Sequence, residues 1–315
     1  MKFACRRLAL FALPVFLLSA GSGFAADGTW VEPKFDPPVG SKWTVERELN
    51  IEKNEHGTLA GHTLKQTALL TIEEKTADGY VISYARQKSD YKGDPKGASL
   101  QRIAYAAQQG VVLRVATDAS GRPLRVLNLD EMRATLRDAI AARPSVAANP
   151  EILASIKRVA ERMVSINDKQ AADFYLDDLP ILALGQNTGL HPGDTRKIKM
   201  PVANALGDGM TKIVTLSIAK DDPATGDVRY VMTETYDAAS MKMLVGETIK
   251  DPSLSNVGVA GINTAEVTAV ARAQLDVAGG MAHEMRRQSV ISFRVPGSNS
   301  ATSEDELVTV SPAAE

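Results

Sequence analysis

The chain has 315 residues, a formal net charge of −2 at pH 7 and a single cysteine, Cys5. That charge argues against the broad basic face with which proteins neutralise nucleic-acid phosphates, and one cysteine excludes an internal disulfide. The length suffices for one large domain or two small ones held by apolar burial alone.

Lys2, Arg6 and Arg7 precede an apolar run from Leu8 to Leu18, and Gly23 and Ala25 stand where a signal peptidase reads small residues. Residues 1–25 are therefore expected to be a cleavable Sec-type signal, and the mature chain periplasmic or secreted. The run, about eleven residues with Pro14 inside it, is too short for a transmembrane anchor. Cys5 lies before the run, so the chain lacks the lipoprotein arrangement. Removing three cations and no acids takes the formal charge from −2 to −5, and Phe3, Phe11, Phe16 and Phe24 leave with the signal. Few aromatics then remain for stacking on bases or sugar rings.

After a proline-rich start, residues 26–127 read as a first β-rich module. Trp43, Val45, Leu49 and Ile51 share one face, interrupted by Arg47, while Thr44, Glu46, Glu48 and Glu52 share the other. Leu64, Ala68, Leu70 and Ile72 lead to a turn at Thr76–Gly79, and Tyr80, Ile82 and Tyr84 return. A second hairpin joins residues 111–115 to 124–127 through Asp118–Gly121.

Residues 128–190 read as a helical block. Asn128 and Glu131 form a capping box ahead of Leu129, Met132, Leu136 and Ile140. Asn149-Pro150 opens a second helix with Ile152, Leu153, Ile156, Val159, Met163 and Val164 on its buried stripe, and a shorter stretch covers 171–184.

Residues 191–295 read as a second β-rich module. Val214, Leu216 and Ile218 pair with Val228, Tyr230 and Met232 across a turn with Asp222 and Gly226. Ala265, Val267, Ala269, Ala271, Ala273 and Leu275 alternate with polar residues, so period two prevails over the helical preference of alanine. Gly40, Gly79 and Gly121 recur as Gly193, Gly226 and Gly279 at offsets of about 150 residues, the mark of two copies of one β-module. Residues 296–315, rich in Ser, Ala and acids, are expected to be a disordered tail.

The expected fold class is α+β: a large curved antiparallel sheet, a partial barrel of two repeated β-modules, with a two- to three-helix block on its concave face. Residues 26–295 form one compact domain in this reading. In general architecture this is similar to bacterial envelope lipid carriers, a likeness of fold without a shared motif.

The chemistry of sites is sparse. Ser217-Ile218-Ala219-Lys220 matches a Ser-x-x-Lys nucleophile motif, but on a strand the two side chains face opposite ways. Asp177-Asp178 and Asp221-Asp222 sit where aspartate serves caps and turns. Asp90–Asp94 lacks calcium-loop spacing, and His56 and His62 lie in a polar stretch. Met281, His283 and Met285 would share one face of a strand, a soft donor set suited to Cu(I), with Met241 and Met243 repeating the spacing. The alternative is that these methionines are core filler. No catalytic residues and no cofactor are assigned. The functional expectation is a non-enzymatic exported envelope protein binding an apolar or lipid-like ligand in a curved-sheet groove. Alternatives are a structural or protein-interaction factor with an envelope protein partner, and a copper-binding protein.

Overall fold

A computed structural model describes residues 32–55, 58–93, 109–141, 171, 188–202, 210–222, 227–236, 240, 266–278, 280–295 and 298–314. The strands are β1 (Lys42–Glu55), β2 (Thr58–Lys75), β3 (Tyr80–Gly93), β4 (Val112–Thr117), β5 (Pro123–Val126), β6 (Thr195–Val202), β7 (Met210–Asp222), β8 (Asp227–Tyr236), β9 (Glu266–Ala278), β10 (Met281–Val295) and β11 (Ser298–Pro312). Among the described residues one helix, α1 (Leu129–Ala141), lies between β5 and β6.

All eleven strands belong to one sheet in the order β5-β4-β3-β2-β1-β11-β10-β9-β8-β7-β6, and every pairing is antiparallel. β1–β5 step outward one way and β6–β10 step inward from the other edge. The two five-strand runs therefore point the same way, with β11 inserted between them.

This corrects the α+β expectation. Among the described residues the architecture is nearly all β, with one short helix rather than a two- to three-helix block. The second and third helices expected over 149–164 and 171–184 lie outside the described residues, except for Ala171, which is buried in the main core. The Asn128 side chain reaches back to β4. Its Oδ1 accepts from the Arg114 N–H at 2.8 Å and its Nδ2 donates to the Val112 carbonyl at 2.9 Å, so α1 is tied to the edge of β4. Leu129 and Met132 then enter the core.

The expected disordered tail is likewise a strand. β11 is the central strand of the sheet, running from Ser298 beside Val295 to Pro312 beside Trp43. Its acids hide the period: Glu306, Val308 and Val310 face inward while Asp305 and Ser311 face water. Glu306 is accommodated there because arginines on both neighbouring strands reach it.

The sheet is curled at the end that carries its Gly turns. In a flat sheet the β4–β5 and β9–β10 turns, six strand steps apart, would be separated by about 29 Å at about 4.8 Å per step. Yet adjacent residues of the segment before β1 touch both. A Cβ on Gly280, in the β9–β10 turn, would lie 1.6 Å from the Lys34 carbonyl oxygen. A Cβ on Gly121, in the β4–β5 turn, would lie 2.9 Å from the Phe35 ring. Ordinary bond lengths then put the two turns within roughly 11 Å of each other.

The same segment has further anchors. Glu32 accepts from the Thr188 backbone and hydroxyl and from the Gly189 N–H. The Phe35 ring meets Tyr80 edge-on at 5.1 Å, and Asp36 accepts from Lys75 at 2.6 Å and Tyr80 at 2.9 Å. Residues 32–36 thus form a strap across the curled end. Above it, Leu70, Ile72, Ile82, Tyr84 and Leu113 of one half join Val228, Tyr230, Leu275, Val277 and Met285 of the other in one buried cluster.

Candidate functional site

Strands with an apolar inward face should show apolar residues at every second position. Partway up this sheet the rule is broken on seven strands at once. Counting from the strap end, the inward residues become Arg86 on β3, Gln66 on β2, Arg47 on β1, Glu306 on β11, Arg287 and Ser289 on β10, Glu234 on β8 and Lys212 on β7, all buried. Register makes them a continuous diagonal band. Arg47 lies opposite Gln66, Glu306 opposite Arg287, and Ser289 and Glu234 flank Ala271 of β9 from either side.

The contacts run along the band. Arg47 Nε donates to Glu306 Oε1 at 2.6 Å, and Arg287 Nη1 stands 3.5 Å from Glu306 Oε2. Gln66 Nε2 reaches Ser89 Oγ at 3.5 Å, and Ser289 Oγ donates to Glu304 at 3.4 Å. The Arg86 guanidinium lies 5.5 Å from the Tyr84 ring centroid. At the far end Lys212 Nζ donates to Glu234 Oε1 at 3.0 Å, both side chains at most 2% exposed. Burial pushes the Lys212 ammonium below the ordinary lysine range, against the pull of Glu234 and with a small push from Arg287. Burial first, then the Glu234 charge, raises the Tyr236 phenol.

Between Arg287 and Ser289 on one side and Glu234 on the other, β9 contributes only Ala269, Ala271 and Ala273. Only methyl groups therefore stand between the polar side chains of β10 and β8 in that row, all of them covered, and Ala273 packs with Val214 and Met232. Glu234 Oε2 and, further along the band, Gln66 Oε1 are buried acceptors without a hydrogen-bond donor. A buried acceptor left so costs about 1–3 kcal/mol, more when charged.

A buried polar band of this kind is a weak source of stability. Buried ion pairs are often no better than apolar residues of the same shape, and replacing them can stabilise by about 1–4 kcal/mol. The inner face is therefore two-toned: a large apolar cluster next to the strap, the polar band across it, and the small cluster of Leu49, Leu64 and Tyr91 beyond.

The sequence-predicted metal ligands are not brought together. A β-bulge between Ala282 and Glu284 shifts the phase of β10 at His283. Met285 is buried opposite Leu275, Met281 packs at the core margin, and His283 is exposed. On the outer face near His283, Arg229 holds Asp276 through two bonds of 2.6 and 2.7 Å, and Glu284 pairs with Arg286. Met241 and Met243 lie outside the described residues, as do His56, Asp94 and Asp177-Asp178. His62 stacks on Tyr91 at 5.1 Å, and Asp90 lies on β3. Ser217 and Lys220 are on β7, and Asp221 and Asp222 close the ladder with Val228 and Asp227. No group of three or more His, Cys, Asp or Glu side chains suited to a metal occurs among the described residues.

Sequence reasoning noted Arg47 as an interruption but missed the band. The signal was there in Gln66, Glu234 and Glu306, each in phase with apolar neighbours on its strand.

No family model and no curated protein matches this chain. Among solved structures it is similar to a lipovitellin structure titled for its lipid–protein interactions, at 9% identity and a TM-score of 0.45. That match covers 88% of this chain and 26% of lipovitellin, so the chain spans about a quarter of that protein. An outer membrane channel from Pseudomonas putida F1 matches at 9% identity and a TM-score of 0.20, over 90% of this chain and all of that one. MucB in complex with MucA matches at 11% identity and 0.11, over 86% and 94%. None reaches a TM-score of 0.5. No helix among the described residues is long and apolar enough to cross a membrane, which leaves membrane-crossing strands unaddressed.

Proposed function

We propose that this is an exported envelope protein that binds an amphiphile, lipid-like in size, inside its curled sheet. The observation that carries the reading is the two-toned inner face. Apolar rows suit acyl chains, and a buried polar band, which a purely structural core would not need, suits a head group. The sheet edges β5 and β6 are not hydrogen-bonded to each other, so the curl is not a closed ladder. Export follows from the expected signal at residues 1–25.

Native mass spectrometry of gently purified periplasmic protein tests the reading. A bound mass of several hundred daltons, removed by organic extraction and followed by uptake of a hydrophobic dye, is expected. Only the bare chain mass, with no dye uptake, would overturn it.

A further inference from the structure

We infer that β11 is exchanged between two copies of this chain: the slot between β1 and β10 of one copy takes β11 of the other, giving a strand-swapped dimer. The inference goes beyond the amphiphile reading and does not depend on it.

β11 comes late in sequence and lies central in space. It runs along β1 from Trp43–Pro312 to Glu55–Ser300, and along β10 from Glu284–Thr309 to Val295–Ser298. Among the described residues it alone joins the run β1–β5 to the run β6–β10 in the sheet. Within each run every strand pairs with its neighbours in sequence, but the inner edge of β1 has to wait for a strand some 250 residues away. Until then β1 offers an open edge to any strand of the right pattern, including one from a second copy.

The slot states what that pattern is. Its inward side carries Arg47 of β1 and Arg287 of β10, and both reach Glu306, at 2.6 Å and 3.5 Å. An occupant must bring a carboxylate to this one row and apolar side chains to the next two inward rows, where β11 places Val308 and Val310, both buried. A slip of one residue would turn all three to the outer face. A second copy carries an identical strand, so the exchanged β11 makes the same ladder and the same ion pairs.

The connection favours exchange. Val295 and Ser298 are register partners, so Pro296 and Gly297 alone join β10 to β11. Two-residue hairpin connections prefer primed turns, which need a positive φ at the first central residue. Proline holds φ near −65°, and Pro-Gly suits a type II turn, which splays the strands it joins. The local sequence thus opposes the hairpin that the long-range contacts of β11 impose. Passing β11 to a second copy removes the two-residue turn and keeps every strand pairing.

The test uses the mature chain from residue 26, which has no cysteine. One preparation carries Glu46→Cys and the other Thr309→Cys, outward positions directly opposite each other on β1 and β11. Each chain then has a single thiol, and any disulfide joins two chains. The two are mixed in urea, refolded together at high protein concentration and oxidised. The disulfide-linked pair is expected in at least about tenfold higher yield than from Glu46→Cys with Asp305→Cys, whose thiols the same ladder holds about 14 Å apart. Adding Pro296→Asn to both chains creates an Asn-Gly connection suited to the closed hairpin. It should lower the yield at least about tenfold, because two connections are relieved in each dimer, and should raise the urea midpoint of the monomer. The unsubstituted chain, refolded at increasing concentration, should give a growing dimer fraction that persists on dilution, since its return requires pulling out a 15-residue strand.

Equal yields from the matched and mismatched pairs, or monomer alone at every refolding concentration, would overturn the exchange. A yield unchanged by Pro296→Asn, or a lower urea midpoint in that variant, would overturn the connection as its cause. Neither result bears on whether the interior binds an amphiphile.

Discussion

Gly280 offers the sharpest test of the curl, because Gly40, with the same left-handed backbone, provides an internal control. Both have a left-handed backbone, φ 76° and 86°. An alanine in that region costs about 1–2 kcal/mol from the backbone alone. At Gly40 a Cβ would meet nothing within 4 Å, so Gly40→Ala should cost only that amount. At Gly280 the Cβ would lie 1.6 Å from the Lys34 carbonyl oxygen, backbone that cannot rotate away. The strap must shift, and Phe35, 5% exposed and set against Tyr80, loses much of its packing. Complete truncation of a buried Phe costs about 3–5 kcal/mol, so Gly280→Ala should lose about 3–5 kcal/mol in all. Urea unfolding reads the difference as a lower midpoint at unchanged slope. Limited trypsin digestion should cut after Lys34 in Gly280→Ala before it does in Gly40→Ala. Equal losses in the two variants, with Lys34 equally protected, would refute the strap as the closure of the curl.

Other outcomes follow from the same geometry. Lys212→Met alone strands a buried carboxylate and should cost about 3–5 kcal/mol, whereas Lys212→Met/Glu234→Leu should recover most of the loss in the same urea experiment. The Asp276 carboxyl is held below its ordinary range chiefly by the hydrogen bonds from Arg229. Its contribution is therefore complete above the unfolded aspartate value of about 4 and is lost as pH falls through the lower folded value. Asp276→Asn should accordingly flatten the acid limb of a stability–pH curve measured below about pH 4. Because the bulge at His283 separates the imidazole from Met285, equimolar protein should not compete with a chromogenic chelator for Cu(I). Stoichiometric competition would contradict that separation. N-terminal sequencing of exported protein should begin at Ala26, and an intact Met1 would contradict the expected signal.

Much of the sheet was legible from alternation alone. Period two located β1, β2, β3, β7, β8 and β9, including the alanine-rich β9, where Ala269, Ala271 and Ala273 do face inward. Two features escaped for physical reasons. β11 looks like a polar tail because its inward Glu306 is neutralised by Arg47 and Arg287, residues remote in sequence. The alternation across Met281–Met285 is interrupted because one extra residue in β10 reverses every side chain beyond it, and no composition marks that bulge. The polar band lay in the sequence one residue at a time, but only the register of seven strands assembles it.

Photolabelling with a diazirine-bearing dodecylglycerol ether, followed by peptide mapping, addresses the amphiphile-binding interior most directly. Labels on inward residues such as Leu275, Val277, Tyr230 and Met285 are predicted, with competition by unlabelled ligand. Labels confined to outward positions such as Arg272 and Gln274, or no saturable labelling, would contradict it.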